Sequence, residues 1–503
     1  MPKTLISLSG GVISNPLRRL AAPVDFELRE GESIALVGPN GSGKSTVLEM
    51  LRGGFFLREG TLQHNLNDES YRAIRTVEFD NAYSTSETQY YYQQRWQAFE
   101  REASPLAGEL LSEAGDDAWQ QQLFDILNIT PLLSKEIITL SSGELRRFSI
   151  ARALLHRPQV LILENPFIGL DPPTRRLLNN LMDSLSSTLG ISFIITLTSA
   201  EQIPQVATHA YFMDGGRISA KMTAEAARAI CTPGHIVSKN DDAASFFHPA
   251  PAFDTVVEMR RVNIAYGPRQ IFRDLNWKVR SGEKWNVTGP NGSGKSTLLS
   301  LVNADNPRAY SLDITLFDRR RGTGESIWDI KRHIGFLSSE MHSSFITSDT
   351  VLEIIRGGMT DRYGDCERSL DYARDDRGDV ARDDSVMSTK AARPRGDISC
   401  ASEDPANANL MRWLKLFGAE DLANRRYNTL SSGEQRYILL IRAFVKDPDL
   451  LILDEPFQGL DPERRRRAAA VIEAFCAAEN KTLLFVTHYI EEVPGVVTNT
   501  LQL

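Results

Sequence analysis

The sequence contains no long apolar run, few cysteines and no excess of positive charge. No stretch approaches the roughly 18 consecutive apolar residues of a membrane-spanning helix, so we expect no integral membrane segment. The formal net charge is −8, which does not favour nucleic-acid binding overall, and we predict no specific DNA binding. The four cysteines are scattered without metal-ligand spacing, which is typical of free thiols in a reducing compartment.

The length and the N-terminus set two further expectations. With 503 residues, the chain is long enough for roughly two to four domains, each with a full core. Lys3, Arg18 and Arg19 precede the first acidic residue, Asp25, a pattern that faintly resembles a mitochondrial transit peptide. Residues 5–8 instead favour the first strand of a folded domain. We therefore predict a cytoplasmic protein, with a mitochondrial one as the alternative.

A short apolar strand that ends in two carboxylates stands out late in the chain. Leu450–Asp454 reads as a buried parallel strand, and Glu455 follows it. Ligands bind at the carboxyl ends of strands in open α/β sheets. Asp454 is placed to hold Mg²⁺, and Glu455 to orient or deprotonate an attacking water. Taken alone, the segment could also be a strand followed by an ordinary acidic turn.

A phosphate-binding loop lies upstream of this strand. Residues 289–297 fit the pattern G-x-x-x-x-G-K-[ST] and follow a strand-like segment, Lys284–Thr288. In such a loop, backbone N–H groups and the next helix N-terminus surround the phosphates. Lys295 would reach the β- and γ-phosphates, and the Ser296 hydroxyl would take a Mg²⁺ position. The loop and the acidic strand together predict a nucleoside triphosphate site.

The chain is a duplication, because three motifs occur twice in the same order. These are the phosphate loop at 38–46 and 289–297, the segment L-S-S-G-E at 140–144 and 430–434, and the acidic strand at 161–166 and 451–456. The phosphate loops lie 251 positions apart, whereas the later motifs lie 290 positions apart. The second half therefore holds 39 extra residues between its phosphate loop and its L-S-S-G-E segment.

Two segments separate or interrupt the repeats. Residues 360–408 are rich in Arg, Asp, Ser and Gly, so we predict a disordered insertion, with a regulatory or partner-binding loop as the alternative. Residues 221–254 are predicted to be a linker with one short helix near 224–230. The two domains are then residues 1–220 and residues 255–503.

A further helix is predicted after the acidic strand of the second half. Asp461 and Pro462 form a helix-start signal. The arginines at 464–467 follow at once, and we interpret them as a solvated helix face. Nucleic-acid contact by these arginines is the less favoured interpretation.

The paired phosphate loops, L-S-S-G-E segments and acidic strands, with a late His488, resemble those of the ATP-binding cassette (ABC) ATPases. The resemblance implies an α/β fold with two tandem P-loop NTPase nucleotide-binding domains. Each would have a RecA-like α/β core, an antiparallel β subdomain and a helical subdomain. It also implies a head-to-tail sandwich in which each ATP lies between the phosphate loop of one half and L-S-S-G-E of the other. ATP would join the halves, and hydrolysis would release them.

The resemblance implies a complete second site, which we define by the second phosphate loop. Tyr266 stands where the family stacks an aromatic ring on adenine, and Glu455 stands where the family has its catalytic carboxylate. His488 ends a strand where the switch histidine of the family contacts the γ-phosphate. Ser141 and Gly143 would be supplied by the first half. We expect this site to hydrolyse ATP.

The first site, defined by the first phosphate loop, departs from the family pattern. No aromatic residue occurs before Phe26, so the adenine platform is missing. Glu164 still offers a carboxylate for metal, but Asn165 replaces the catalytic glutamate, and an amide cannot accept a proton from water. Thr198 replaces His488. We expect this site to bind nucleotide and to hydrolyse it poorly.

The resemblance carries phosphate and metal binding to residues in both halves. The residues predicted to bind ATP at the first site are Gly38, Asn40, Gly41, Gly43, Lys44, Ser45 and Thr46, with Ser431 and Gly433 from the other half. Those predicted in the second phosphate loop are Gly289, Asn291, Gly292, Gly294, Lys295, Ser296 and Thr297. The predicted Mg²⁺ ligands are Ser45 and Glu164 in the first site, and Ser296 and Asp454 in the second.

Some residues depart from the pattern of transporter cassettes. The glutamine that couples a cassette to its membrane partner falls on Ser339, beside Glu340, and its first-half equivalent near Asp80 is not fixed. L-S-S-G-E also replaces the usual L-S-G-G-Q in both halves. Residues 318–330 closely resemble the ModF-like or photorepair-like group of soluble tandem ABC ATPases. That likeness implies no substrate, and no molybdate pocket is predicted.

Three functions follow in order of preference. The first is a soluble ATP-driven mechanoenzyme that acts on a protein or nucleoprotein partner. The second is the ATP-binding subunit of a transporter with separate membrane subunits. Residues 71–99 could then form a docking surface, although they favour a helical-subdomain core. The third is a translation factor of the tandem-cassette type, which the short linker without a basic run disfavours. A binding protein without turnover is the least favoured, because the second site is intact.

Overall fold

The two halves of the sequence form two α/β units of the same design. A computed structural model describes residues 2–79, 105–111, 117–137, 140, 142–230, 243–266, 269–290, 292–338, 341, 345, 347–360 and 405–503. Each unit contains a parallel sheet, a smaller antiparallel sheet and a group of helices. This architecture confirms the predicted fold class.

The first unit is built from ten strands and seven helices within the described residues. Its strands are β1 (Thr4–Ile13), β2 (Val24–Arg29), β3 (Ile34–Val37), β4 (Leu57–His64), β5 (Ile74–Glu78), β6 (Val160–Glu164), β7 (Ser192–Leu197), β8 (His209–Asp214), β9 (Arg217–Ile218) and β10 (Met222–Thr223). Its helices are α1 (Lys44–Arg52), α2 (Ser70–Ala73), α3 (Ala107–Leu111), α4 (Asp117–Leu127), α5 (Ser142–Leu154), α6 (Pro172–Leu189) and α7 (Ala224–Ala229).

The second unit repeats this plan. Its strands are β11 (Val257–Tyr266), β12 (Arg269–Val279), β13 (Lys284–Thr288), β14 (Ile314–Leu316), β15 (Arg319–Arg320), β16 (Ile334–Leu337), β17 (Leu450–Asp454), β18 (Thr482–Val486) and β19 (Asn499–Gln502). Its helices are α8 (Lys295–Val302), α9 (Ile327–Lys331), α10 (Val351–Met359), α11 (Pro405–Phe417), α12 (Ser432–Phe444) and α13 (Pro462–Ala477).

Five parallel strands of the main sheet match in order between the two units, and the first unit adds β9 and β10 antiparallel to β8. The order β5-β6-β7-β3-β8 in the first unit corresponds to β16-β17-β18-β13-β19 in the second. All neighbours in these runs are parallel. The carboxyl ends of β3 and β6, and likewise of β13 and β17, therefore lie at one edge of each sheet. This edge brings each phosphate loop next to its acidic strand.

The apolar residues of each acidic strand pack against both faces of their sheet. In β6, Leu161 and Leu163 pack in the same core as Phe148 of α5, whereas Val160 and Ile162 pack with α1 on the opposite face. Because successive strand residues point to opposite faces, a strand between two layers of helices must be apolar throughout. Burial of each such side chain stabilises the fold by about 1.5–3 kcal/mol. The same packing holds β17 in the second unit.

The predicted linker boundaries, 221–254, are wrong at both ends. Met222–Thr223 pairs with β8 as strand β10, and α7 follows it, so residues 222–229 belong to the first unit. At the other end, Phe247 packs against Trp413 and Phe475 of the second unit. A purely compositional reading missed both, because these short segments are fixed by pairing and packing with distant residues.

The predicted insertion, 360–408, also ends too late. Helix α11 begins at Pro405, so its first four residues had been assigned to the insertion. Residues 361–404 lie outside the described part of the chain. Within the described ranges, no helix combines the length and the apolar character that a membrane crossing requires.

Candidate functional site

The phosphate loops connect β3 to α1 and β13 to α8. Gly43 and Gly294 each precede their helix with a φ of 101° and 107°, a left-handed conformation that favours glycine. In the first loop, Lys44 Nζ donates hydrogen bonds to Gly38 O at 2.7 Å and to Pro39 O at 2.9 Å. Lys44 is 8% exposed, and this burial lowers its pKa to about 8. The backbone carbonyls of the first phosphate loop thus hold the ammonium group of Lys44.

The second loop holds its lysine in the same way but in a more open place. Lys295 Nζ donates to Gly289 O at 2.7 Å and to Pro290 O at 3.1 Å. Lys295 is half-buried. Burial lowers the pKa of Lys295, while the charges of Asp454 and Glu455 act against that shift. The carboxylates of β17 are therefore close to the phosphate-binding lysine.

The predicted metal ligands lie at the sheet edge. In the first site, the Ser45 hydroxyl donates to Glu164 Oε2 at 3.0 Å, so a hydroxyl and a carboxylate oxygen come together. In the second, Ser296 is the second residue of α8, and the buried Asp454 ends β17. Oxygen ligands of this kind suit Mg²⁺, which keeps waters and substrate phosphates as its other ligands.

Glu455 and His488 are in contact at the ends of β17 and β18. Glu455 has a φ of 52°, and its Oε1 atom accepts a hydrogen bond from the His488 backbone N–H at 2.9 Å. The imidazole Nε2 lies 3.8 Å from the same oxygen. Burial raises the pKa of Glu455 to about 8, and the charge of Asp454 adds to this. Burial also lowers the pKa of His488.

In the first site, Asn165 and Thr198 occupy the positions of Glu455 and His488, and they have neither a carboxylate nor an imidazole. Asn165 has a φ of 47°, close to that of Glu455, and its N–H donates to Thr196 Oγ1 at 3.1 Å. The strand register pairs Glu164 with Thr196, and Asp454 with Val486. Two residues further on stand Thr198 and His488, which confirms that the two positions correspond.

The L-S-S-G-E segment of the second half closes on the first phosphate loop. Ser431 caps α12 and forms a reciprocal capping box with Glu434. A side chain at Gly433 would collide with Asn40 Nδ2, so only glycine permits this approach. Asn40 Nδ2 in turn donates to Gly459 O at 2.7 Å. The head-to-tail contact that the resemblance implied is thus present at the first site.

Contacts between the units also surround the second site. The Tyr489 hydroxyl donates to Leu170 O of the first unit at 2.6 Å. The charge of Asp171, which caps α6, acts to raise the pKa of both Lys295 and His488. The residues just before α6 therefore face the second phosphate loop. Gly143 lies in the first turn of α5, beside Thr174 of its own unit.

Tyr266, the predicted adenine platform, ends β11. The Arg308 guanidinium carbon lies 4.5 Å from the centre of its ring, and Asn306 Nδ2 donates to its hydroxyl at 3.3 Å. The ring is half-buried, and its role toward adenine stays a prediction. The remaining predicted residues lie in the loops or in the helices they begin: Gly41, Thr46, Gly292 and Thr297. Ser141, Asn291, Ser339 and Glu340 lie outside the described residues.

Sequence reasoning missed several residues at the contact between the units. Asp461 was read only as a helix start, yet its Oδ2 atom accepts a hydrogen bond from the Asn40 backbone N–H at 3.4 Å. Among the arginines predicted as a solvated face, Arg464 departs from the prediction, because its side chain is 19% exposed and ion-paired with Asp461. The Arg465 and Arg467 side chains are 41% and 39% exposed, and Arg465 is ion-paired with Glu492 at 3.4 Å. The signal that could have found Asp461 and Arg464 is their position five and eight residues after the acidic strand motif, at the start of the helix that faces the first phosphate loop.

Comparison with known proteins agrees with this arrangement. A family model described as ABC transporter matches residues 21–168 and 272–458. The ABC transporter ATP-binding protein ModF of Escherichia coli (strain K12) is 32% identical over 495 residues, which cover 94% of this chain and 92% of that protein. An uncharacterized ABC transporter ATP-binding protein of Schizosaccharomyces pombe is 28% identical, over 94% of this chain and 92% of its own length.

Solved structures share the fold of the whole chain. Archaeal ABCE1, described in a model of ribosome-bound Pelota and ABCE1, matches with a TM-score of 0.55 and 20% identity, over 94% of this chain and 72% of that chain. A structure described as RNase-L Inhibitor matches with a TM-score of 0.50 and 20% identity, over 94% and 83% of the two chains. At this identity the likeness concerns the fold alone. From the family match and the two relatives, the chain belongs to the ATP-binding cassette family and carries two ATP-binding cassettes in tandem.

Proposed function

We propose that this protein is an ATPase in which both cassettes bind ATP with Mg²⁺ and the second site hydrolyses it. The observation that carries the proposal is the position of Glu455. It directly follows the acidic strand, close to Lys295, and its carboxylate accepts a hydrogen bond from the His488 backbone N–H at 2.9 Å. A carboxylate fixed at this place can orient a water and accept its proton. Hydrolysis of ATP to ADP and phosphate is the reaction that this arrangement supports.

Each residue of the second site has a part in this proposal. Lys295 binds the terminal phosphates, and its loop and the start of α8 supply backbone N–H groups. Ser296 and Asp454 hold Mg²⁺, which neutralises charge on the phosphate oxygens. His488 contacts the γ-phosphate and keeps Glu455 in place. Tyr266 stacks on adenine.

The first site is proposed to bind ATP without fast turnover. Lys44, Ser45 and Glu164 supply the groups for phosphate and metal, but Asn165 and Thr198 provide neither the base nor the histidine. The second cassette already contacts this phosphate loop through Gly459. ATP at the first site would therefore strengthen an existing contact and keep the cassettes together.

The proposed cycle uses these contacts as a switch. ATP in both sites favours the closed arrangement, in which Asn40 meets Gly459 and Tyr489 meets Leu170. Loss of the γ-phosphate at the second site removes contacts that only the closed form makes, so the cassettes separate there. The resulting movement would act on a protein or nucleoprotein partner.

The first experiment compares steady-state ATP hydrolysis by the wild-type chain and by Glu455→Gln. We expect kcat to fall about 100-fold or more, because the amide cannot accept the proton. Glu463→Gln, an exposed carboxylate on α13, serves as the matched control and should hydrolyse at the wild-type rate. Undiminished turnover by Glu455→Gln would refute the assignment of the catalytic base.

A second candidate is the ATP-binding subunit of a transporter with separate membrane subunits. It is favoured by the similarity to ModF, which is described as an ABC transporter ATP-binding protein. Affinity purification of Glu455→Gln with ATP separates the two. Soluble or ribosomal complexes among the captured proteins would support the first candidate, whereas permease-like membrane subunits would support the second. Fractionation of the cells that express the protein tests the cytoplasmic location against the mitochondrial alternative.

A further inference from the structure

Two carboxylates of the second cassette face the phosphate loop of the first. Glu434 is 3% exposed, and its Oε1 atom lies 2.7 Å from where a Cβ atom at Gly41 would stand. Asp461 Oδ2 accepts a hydrogen bond from the Asn40 backbone N–H at 3.4 Å. A triphosphate on this loop would lie beside both negative charges, and they would oppose its binding unless a cation is present.

Arg464 lies between these carboxylates. Its Nη2 atom is 3.5 Å from Glu434 Oε1, and its Nη1 atom is 3.6 Å from Asp461 Oδ2. Both distances are long for a charge-assisted hydrogen bond, and the buried Nη1 atom donates no hydrogen bond. The side chain is 19% exposed and lies over the Tyr437 ring, 5.6 Å from its centre. The Arg464 guanidinium therefore lies near the first phosphate loop, and its Nη1 N–H groups can still donate hydrogen bonds.

The second site has a different residue at the matching position. Arg464 and Thr174 are each the third residue after the aspartate that caps their helix, and each donates its backbone N–H to that aspartate. The Thr174 Cγ2 atom lies 2.7 Å from where a Cβ atom at Gly143 of its own unit would stand, and a threonine carries no charge to offer a phosphate. Glu144, the counterpart of Glu434, is ion-paired with Lys135 at 2.7 Å, and Glu434 has the matching pair with Arg425 at 3.6 Å, so Arg464 is the added cation beside Glu434. The arginine thus belongs to the site that lacks the catalytic glutamate and histidine.

We propose that Arg464 is a nucleotide-binding residue of the first site, where it donates a hydrogen bond from Nη1 to the terminal phosphate of bound ATP. This inference rests on the proposed binding of ATP at the first site. The planar guanidinium suits phosphate oxygens, and it offsets the charges of Glu434 and Asp461. ADP lacks the terminal phosphate, so Arg464 makes the first site favour ATP over ADP. The second cassette thereby senses which nucleotide the first cassette holds.

The test measures ATP and ADP affinities of the first site by titration calorimetry. The parent protein is the full-length chain with Lys295→Ala, which disables nucleotide binding at the second site. The double variant Lys44→Ala with Lys295→Ala measures the heat that does not come from binding at either site. Arg464→Thr, which introduces the residue of the second site, is expected to weaken ATP binding about 10- to 100-fold. ADP binding should change less than about twofold, because the lost contact involves the terminal phosphate alone. Arg464→Lys keeps a charge and should recover part of the ATP affinity.

Arg466→Thr, on the same helix, is the matched control and should bind both nucleotides like the parent. An equal loss of ATP and ADP affinity in Arg464→Thr would indicate a structural role and overturn the inference. Full recovery of ATP affinity on adding Glu434→Gln to Arg464→Thr would also overturn it, because Arg464 would then act only by neutralising Glu434. If the Lys295→Ala parent binds no ATP, the proposed function fails at the first site, and the inference falls with it for that separate reason.

Discussion

At the first site, Lys44 is buried and residues of the other cassette contact the phosphate loop, although Asn165 and Thr198 occupy the catalytic positions. At the second site, Glu455 and His488 are in place, yet Lys295 is only half-buried. Two identical sites would share both the closeness of the contact between cassettes and the glutamate–histidine pair, whereas these two sites differ in each property. The first has the tighter described contact between cassettes, and the second has the groups of the proposed hydrolysis.

On the proposed function, closing a site and reacting within it would depend on different residues. The contact at the first site joins the Asn40 side-chain amide to the Gly459 backbone carbonyl, and Gly433 leaves room for it. The reaction proposed at the second site uses the side chains of Glu455 and His488, which follow two neighbouring strands. Side chains can be exchanged by point mutation without disturbing the loops, so the comparison can be tested directly.

The largest expected difference is between the two phosphate-binding lysines. Lys295→Ala should lower steady-state ATPase activity at least about 100-fold, because it removes a cation from the site that reacts. Lys44→Ala should lower activity less than about tenfold, since it acts only through coupling between the sites. The measurement is kcat for both variants at saturating ATP. Equal losses would show that the sites contribute equally to turnover.

The next largest effect is a gain of activity at the first site. Asn165→Glu with Thr198→His, in the Lys295→Ala background, should raise ATPase activity about tenfold over that background, within the range of general-base catalysis. The backbone at Asn165 already has a φ of 47°, close to the 52° at Glu455, so the glutamate can adopt the same position. Single-turnover hydrolysis measures the gain. Asn165→Gln with Thr198→His is the control, and an equal gain there would exclude general-base catalysis as its cause.

A smaller effect is expected at the contact between the second site and the first unit. Tyr489→Phe removes the hydroxyl that donates to Leu170 O at 2.6 Å, a contact that only the closed form would make. One such hydrogen bond is worth about 1 kcal/mol, so the closed population, and with it kcat/KM for ATP, should fall about fivefold. Tyr310→Phe, at an exposed tyrosine, controls for the loss of a hydroxyl. A value of kcat/KM unchanged in Tyr489→Phe would mean that the contact does not limit closure.

The smallest effect is expected from the inserted segment. Replacing residues 361–404 by a short Gly-Ser linker should change the free energy of unfolding by less than about 1 kcal/mol, because loop length enters closure entropy only logarithmically. Extending the deletion to residue 408 should destabilise the protein more, since it removes the first turn of α11. Denaturant unfolding of both variants tests this. Equal, large losses would show that residues 361–404 are part of a folded core.

Local patterns predicted the catalytic strands well and the contacts between units poorly. Lys284–Thr288 and Leu450–Asp454 are both strands over the predicted residues. For Leu450–Asp454 the reason is that an apolar run of this length must be buried on both faces of a sheet. The helix start at Asp461 was also predicted, since an aspartate before proline caps a helix. Each of these features depends on neighbours in sequence.

Arg464 and Tyr489 could not be assigned in this way. Arg464 contacts Glu434 thirty residues away, and Tyr489 contacts Leu170 in the other unit. The polar start of α11 was assigned to the insertion for the same reason, although Leu410 and Trp413 further along that helix are buried. Long-range packing decides such positions, and composition does not report it.

The first unit extends through α7, which ends at Ala229, and the second unit is already packed at Phe247, so few residues connect them. Because a short connection joins the two units in one chain, the effective concentration of each unit at the other is on the order of millimolar. In a dimer of identical subunits, any substitution would appear in both sites at once. The covalent connection lets each interface vary alone, which is what allows one site to keep Arg464 and Asn165 while the other keeps Thr174 and Glu455.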